Sequence, residues 1–205
     1  MQNFKSNKQA KGFSLLELML VLAAIVFLGA LAIQQYNKYR VNQTATEEAQ
    51  NLASAAAATK ALYTRGDYST LSPDVASKAK FFPDNMVVGG TTINNQWNGA
   101  VVLGPITNTV AVGGTVPATV TAGASSNPVA GNQNRFFGIS YAGVPSDVCV
   151  KLAGAAGPTF DKIGIGGTLV KNTVPGAATQ VLLNEATVAT ACATAATANM
   201  TFITN

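Results

Sequence analysis

Residues Gly12 to Ile33 read GFSLLELMLVLAAIVFLGALAI, and this stretch decides the fold of the chain. From Phe13 to Ile33 every residue is apolar or small except Glu17. Helical residues over that range reach roughly 31 Å, which is the thickness of the hydrocarbon core of a bilayer. A carboxylate inside lipid costs about 3 kcal/mol or more. The sequence therefore predicts that Glu17 acquires a partner once the segment leaves the membrane.

The composition argues against a charged cytosolic enzyme. Only 11% of the 205 residues are charged, and histidine is absent. Gly, Ala, Thr, Val and Asn dominate the second half, which suits a β-rich extracellular domain with many turns. The net charge of +4 includes Lys5, Lys8 and Lys11, and the remainder of the chain has 10 basic and 9 acidic residues. No basic field indicates a nucleic-acid binder.

Residues 1–12, MQNFKSNKQAKG, have the composition of a leader. They are polar and carry three lysines but no acid, so they should stay on the cytoplasmic side of the membrane. A secretory signal peptide is cut after its apolar region, next to small residues. Here the small residue, Gly12, precedes that region. The alternative is an uncleaved signal anchor in which Glu17 has no special role.

The sequence GFSLLE, from Gly12 to Glu17, resembles the processing site of type IV prepilins. The resemblance implies that a prepilin peptidase cuts after Gly12 and methylates the new N-terminus at Phe13. Glu17 would then be the fifth mature residue, where the family places its glutamate. An ammonium and a carboxylate attract strongly in a low dielectric. The α-amine of Phe13 in one subunit could thus meet Glu17 of a neighbour and set the register of assembly.

The helical pattern continues beyond the apolar run. A stripe recurs at steps of 4, 3, 4, 3 and 4, formed by Ala45, Ala49, Leu52, Ala56, Thr59 and Tyr63. No proline occurs from Phe13 to Leu71, so we expect one helix from about Phe13 to Tyr63, with Gly66 near its end. Its first half, residues 13–35, is apolar all round. Its second half, residues 36–65, is amphipathic and should pack against a sheet.

The apolar half departs from the type IVa pilins that it resembles. Those proteins carry a helix-kinking proline about where Gln34 stands, and this chain has none. Gly29 is the intrinsic weak point. If the helix melts during filament assembly, we expect it to melt near Gly29.

Residues 66–205 should form a globular head with antiparallel strands. β-branched and aromatic residues bounded by Gly, Pro and Asn predict strands at Ala100–Leu103, Asn108–Val112, Val116–Thr121, Arg135–Tyr141, Lys162–Val170 and Met200–Thr204. Start and stop signals predict a short helix from Pro73 to near Lys80, one over Pro145–Leu152, and one from Asn184 to about Ala196. Thr121–Asn134 is predicted to be an exposed loop.

The two cysteines, Cys149 and Cys192, lie in the two later predicted helices. An even pair in an exported domain predicts one disulfide, which would join these helices. Two buried free thiols are the other interpretation of the same pair.

The order of elements in the head resembles that of type IVb pilins. The segments that carry the resemblance are GDYSTL after the helix, FPDN, a Trp-Asn-Gly turn, FFGISYAGVPSDVCVKL and TACATAATANMTFI. The resemblance implies an α+β type IV pilin fold, in which the second half of the long helix packs on an antiparallel sheet.

The resemblance implies a structural subunit and not an enzyme. Without histidine there is no His-based triad or His metal site, and no cofactor is expected. The resemblance implies a homo-oligomeric helical filament used in adhesion, aggregation, motility or DNA transfer. Implied partners are the prepilin peptidase, the inner-membrane assembly platform with its ATPase, the inner membrane before assembly, and host-cell or other surfaces. A type II secretion pseudopilin is the alternative, and a membrane-tethered binding protein or enzyme is a more remote one.

Overall fold

The computed structural model describes residues 14–107, 110–111, 113–114, 116–120 and 135–205. The chain forms two compact units, Met1–Arg40 and Val41–Asn205, which are described separately. Gly12 and Phe13, and the predicted loop Thr121–Asn134, lie outside the described residues.

The first helix, α1, runs from Leu15 to Leu62. The absence of proline and the richness in alanine explain its length, as the sequence predicted. In the second unit, one face of α1 is buried, and it includes the predicted stripe of Ala45, Ala49, Leu52, Ala56 and Thr59. Tyr63 follows the helix and packs against the same core. Gly66 takes a positive φ of 68°, in a turn that its amide closes onto the carbonyl of Tyr63.

The connection after α1 contains more regular structure than predicted. Helix α2, Pro73–Lys78, is capped by the Ser72 hydroxyl, which accepts a hydrogen bond from the amide of Val75. A 3₁₀ turn covers Asp84–Met86. Strands β1, Val87–Val88, and β2, Thr92–Asn94, were not predicted, because two or three residues cannot display an alternating pattern.

The described residues of the head form a seven-stranded antiparallel sheet with the order β1-β2-β3-β4-β7-β5-β6. Its remaining strands are β3 Ala100–Ile106, β4 Phe136–Pro145, β5 Lys162–Ile165, β6 Thr168–Asn172 and β7 Thr197–Thr204. The C-terminal strand β7 therefore lies between β4 and β5. Because adjacent side chains alternate between faces, Met200 and Phe202 join the core that contains α1, whereas Ile203 joins a second apolar cluster.

Two predicted strands are wrong. Val110 and Ala111 are helical, although Asn108–Val112 was predicted to be a strand, and residues 116–120 form no strand, although Val116–Thr121 was predicted to be one. Val116 and Val120 instead pack in the second apolar cluster, with Ile106, Phe136 and Ile203. Apolar β-branched residues here cover one face of the sheet rather than extend its ladder.

The predicted strand Lys162–Val170 is a hairpin rather than one strand. Strand β5 ends at Ile165 and β6 begins at Thr168. Gly166 and Gly167 form the turn with φ of 57° and 84°, a conformation that glycine adopts without steric cost. The glycine pair thus separates what looked like one β-rich stretch.

The two later helices differ from their predicted bounds at the C-terminal end. Helix α3, Ser146–Ala156, continues through Gly154, which was predicted to follow its end. Helix α4, Glu185–Cys192, stops four residues before Ala196. The side chain of Asn184 caps α4 by accepting hydrogen bonds from the amides of Ala186 and Thr187.

Candidate functional site

The N-terminal part of α1 presents an apolar surface on every side. Large side chains between Leu15 and Ile33 are exposed, including Leu15 at 75% and Val26 at 72%. Among the described residues, α1 is the one helix long and apolar enough to cross a membrane, judged by length and composition. A contiguous apolar surface of this size marks a site of contact with lipid or with other proteins.

Glu17 lies in the first turn of α1 and is exposed in the monomer. The free amide groups of a helix N-terminus favour a carboxylate there. Its predicted partner, the amine of Phe13, is outside the described residues, as is the predicted processing residue Gly12. The structure therefore gives the position of Glu17 on the apolar surface, and its role in assembly stays a prediction.

Cys149 of α3 and Cys192 of α4 are joined by a disulfide in the core. Their separation in sequence is 43 residues. The bond holds two helices that are otherwise connected through the β5–β6 hairpin. It serves as a covalent link within the head.

Glu48 is a fully buried carboxylate on α1 that the sequence analysis missed. Its Oε1 accepts a hydrogen bond from the amide of Gln96 at 2.8 Å, and its Oε2 accepts one from the Tyr141 hydroxyl at 3.1 Å. Burial raises the pKa of Glu48, and the hydrogen bonds from Gln96 and Tyr141 oppose that rise. Its burial could have been predicted from its position, since Glu48 lies three residues after Ala45 and four before Leu52, on the buried stripe.

Lys162 is a buried ammonium on β5, and it also escaped the sequence analysis. Its Nζ donates to the carbonyls of Val110, Ala111 and Gly113 at 2.7, 3.3 and 2.7 Å. Burial lowers the pKa of Lys162. The ammonium thus binds the segment around residues 110–113 to strand β5.

The described part of the head has one groove and several isolated acids that bear on possible chemistry. A groove of about 490 Å³ lies between α3 and α4, with Lys151 and Glu185 among its lining residues. Within the part of the chain that the structure describes, no group of three or more His, Cys, Asp or Glu residues could hold a metal ion. Two acids of the head make local or structural contacts: Asp67 accepts a hydrogen bond from the Ser69 amide, and Asp161 accepts one from the Thr204 hydroxyl.

Comparison with known proteins identifies a family, and one of the similar solved structures is described below. The family model described as PilS N terminal matches residues 42–122 and 113–205. The crystal structure of TcpA, a type IV pilin from Vibrio cholerae El Tor biotype, aligns with 20% identity and a TM-score of 0.48, covering 80% of this chain and 99% of that one. No curated protein sequence matched the chain.

Proposed function

The chain belongs to the PilS family of type IVb pilins, which are pilus subunits, and we propose that it polymerises through the first half of α1 into an extracellular filament. The apolar helices form the core of the filament, and the heads form its shell. As a structural subunit of this kind, it carries out no catalysis and needs no cofactor. Adhesion, aggregation, motility and DNA transfer are the uses open to such a filament.

The observation that carries the proposal is the exposed apolar surface between Leu15 and Ile33 with a single carboxylate, Glu17, in its first turn. An all-round apolar helix must be covered by lipid or by other helices. Small residues at Ala23, Ala24, Gly29, Ala30 and Ala32 allow neighbouring helices to approach closely. The same surface therefore suits the inner membrane before assembly and a helix bundle afterwards.

Processing would prepare the subunit for that bundle. In the proposal, the prepilin peptidase cuts after Gly12 and methylates Phe13. The resulting amine then pairs with Glu17 of a neighbouring subunit. The support is the GFSLLE motif and the basic leader, since the matched family region begins at residue 42.

Assembly requires partners in the inner membrane. The proposal includes an assembly platform that extracts the subunit from lipid and an ATPase that supplies the energy. The head, with its internal disulfide, would then face the exterior. Surface segments such as Thr121–Asn134 would contact other filaments, host cells or surfaces.

Two measurements test the function. Mass spectrometry of the native protein should find Phe13 as a methylated first residue, and electron microscopy should find filaments that disappear when the gene is deleted. Glu17→Gln should abolish or strongly reduce filaments while the subunit still accumulates in the membrane. Glu47→Gln makes the same change at an exposed acid of α1 and should leave filaments intact.

Different outcomes would favour other functions. A processed subunit that supports protein export without surface filaments would indicate a pseudopilin. An intact Met1, or cleavage after Ile33, would indicate a membrane-tethered protein. Unchanged filaments in the Glu17→Gln variant would refute the assembly role of that carboxylate.

A further inference from the structure

We propose that Tyr36, Lys38, Tyr39 and Arg40 form a headgroup band, which binds the phosphates of anionic phospholipids and fixes the depth of the chain in the membrane before assembly. The proposal rests on the membrane stage of the proposed function. It adds a binding surface and a class of ligand to the helical segment between the apolar run and the head.

The spacing along α1 carries the first step of the argument. The helix continues without a break through these positions. Residues 14–33 cover about 30 Å at 1.5 Å per residue, which matches the hydrocarbon core. Tyr36 then lies about 4.5 Å beyond Ile33, and Arg40 about 10 Å beyond it. The polar layer on each side of a bilayer is roughly 5–8 Å thick, so the band begins within that layer.

The chemistry of the band suits that layer. The side chains of Tyr36 and Tyr39 are 58% and 65% exposed, respectively. A tyrosine ring has an apolar body and a polar tip, and tyrosines are enriched where hydrocarbon meets water. Lysine and arginine both bind phosphate, arginine through two parallel hydrogen bonds. Aromatic anchors and phosphate ligands therefore occur within five residues.

The disposition around the helix favours lipid over a protein groove. At about 100° per residue, Tyr36, Tyr39 and Arg40 fall within an arc of roughly 100°. Lys38 lies about 160° from Arg40, on the opposite side. A protein partner would contact one face of a helix, whereas a headgroup layer surrounds it. The two basic groups are therefore placed to bind phosphates on both sides.

The helical segment that holds the band is basic in sequence, because it contains Lys38 and Arg40. No Asp or Glu occurs between Glu17 and Glu47. The local charge is therefore positive and complements anionic lipid.

Depth can be measured on the full chain in vesicles that contain about 30 mol% phosphatidylglycerol in phosphatidylcholine. Trp97, the single tryptophan, is replaced by Phe, and reporters are introduced as Tyr36→Trp, Tyr39→Trp and, for the apolar run, Leu22→Trp. Lipids brominated near the headgroup should quench the first two reporters most, and lipids brominated deep in the chain should quench the third. Reporters at 36 and 39 that respond to aqueous iodide but to neither lipid would overturn the band.

Lipid preference tests the charges. With the reporter at position 39, brominated phosphatidylglycerol should quench better than brominated phosphatidylcholine. The double variant Lys38→Gln, Arg40→Gln should lose this preference, by up to roughly fivefold per charge. Lys78→Gln, Lys80→Gln removes two exposed charges from the head and should keep it. An unchanged preference in the first double variant would refute the headgroup band.

The two levels of proposal fail differently. If the reporter at position 22 is quenched by no lipid, the chain does not insert, and the membrane stage of the proposed function is wrong together with the band. If that reporter is quenched by deep bromine while the preference for phosphatidylglycerol is absent, the chain inserts and only the headgroup band is wrong.

Discussion

Glu48 and Tyr141 are 93 positions apart in the chain, yet the carboxylate of one accepts a hydrogen bond from the hydroxyl of the other at 3.1 Å in the core. This contact connects α1 to the central strand β4. The second hydrogen bond of Glu48 comes from the amide of Gln96, which lies between β2 and β3. One acid therefore links three parts of the head.

We expect Glu48→Gln to remove a pH dependence of stability. Burial raises the pKa of Glu48 in the folded state above its unfolded value. The stabilisation associated with its proton is then fully present below the unfolded pKa and is lost as pH rises through the folded pKa. Relative to wild type, Glu48→Gln should therefore gain stability as the pH rises above the unfolded pKa of about 4.3. Urea unfolding of the full chain in detergent, followed by Trp97 fluorescence, measures this difference.

Two further variants sharpen that test. Glu47→Gln changes an exposed acid next to it and should give no comparable pH-dependent gain. Glu48→Ala leaves Tyr141 and the Gln96 amide without their acceptor and should cost about 2–4 kcal/mol of unfolding free energy. A pH-independent difference between Glu48→Gln and wild type would contradict the raised pKa.

Lys162→Met should destabilise the head by about 2–4 kcal/mol. The substitution leaves the carbonyls of Val110, Ala111 and Gly113 without the ammonium donor. Urea unfolding measures the loss, and limited proteolysis should show faster cleavage between residues 110 and 120. Lys78→Met, at an exposed ion pair with Asp74, should stay within about 0.5 kcal/mol of wild type. Equal effects of the two substitutions would contradict the anchoring role of Lys162.

Gly164→Ala and Gly154→Ala should change stability in opposite directions. A Cβ at Gly164 would overlap Cγ1 of Val116, whereas a Cβ at Gly154 meets nothing within 4 Å. The first substitution should cost about 1–3 kcal/mol by displacing the segment that covers the sheet. The second, inside α3, should add up to about 1 kcal/mol through helix propensity. Thermal unfolding of both variants decides the matter, and a neutral Gly164→Ala would contradict this close packing.

Removal of the disulfide should cost about 4 kcal/mol. The chain-entropy model gives this value for the 43-residue separation of Cys149 and Cys192. The double substitution to alanine should lower the urea midpoint, and wild type treated with a reductant should approach the same midpoint. A reductant effect on the alanine variant itself would show that the loss has another origin.

Several elements could be predicted because their signals are local. The 3.6-residue stripe from Ala45 to Thr59 and the absence of proline predicted α1, whose buried face follows that stripe. Asn184 predicted the start of α4, and its side chain caps the helix there. Strands β3, β4 and β7 were found at the predicted places, with longer bounds. The assembly role of Glu17 stays a prediction.

The tertiary structure decided what depends on distant partners. Val116 and Val120 suggested a strand, but β7 lies between β4 and β5, and these valines pack against the sheet face, where Gly164 leaves room. Likewise, the sequence identifies Glu48 and Lys162 only as charged residues, whereas the fold buries both and supplies their hydrogen-bond partners. Periodicity and capping are encoded within one segment, because a helix or strand makes them with its own neighbours. The hydrogen-bond partners of these two buried charges lie 48 or more positions away, and only the folded chain brings those residues together.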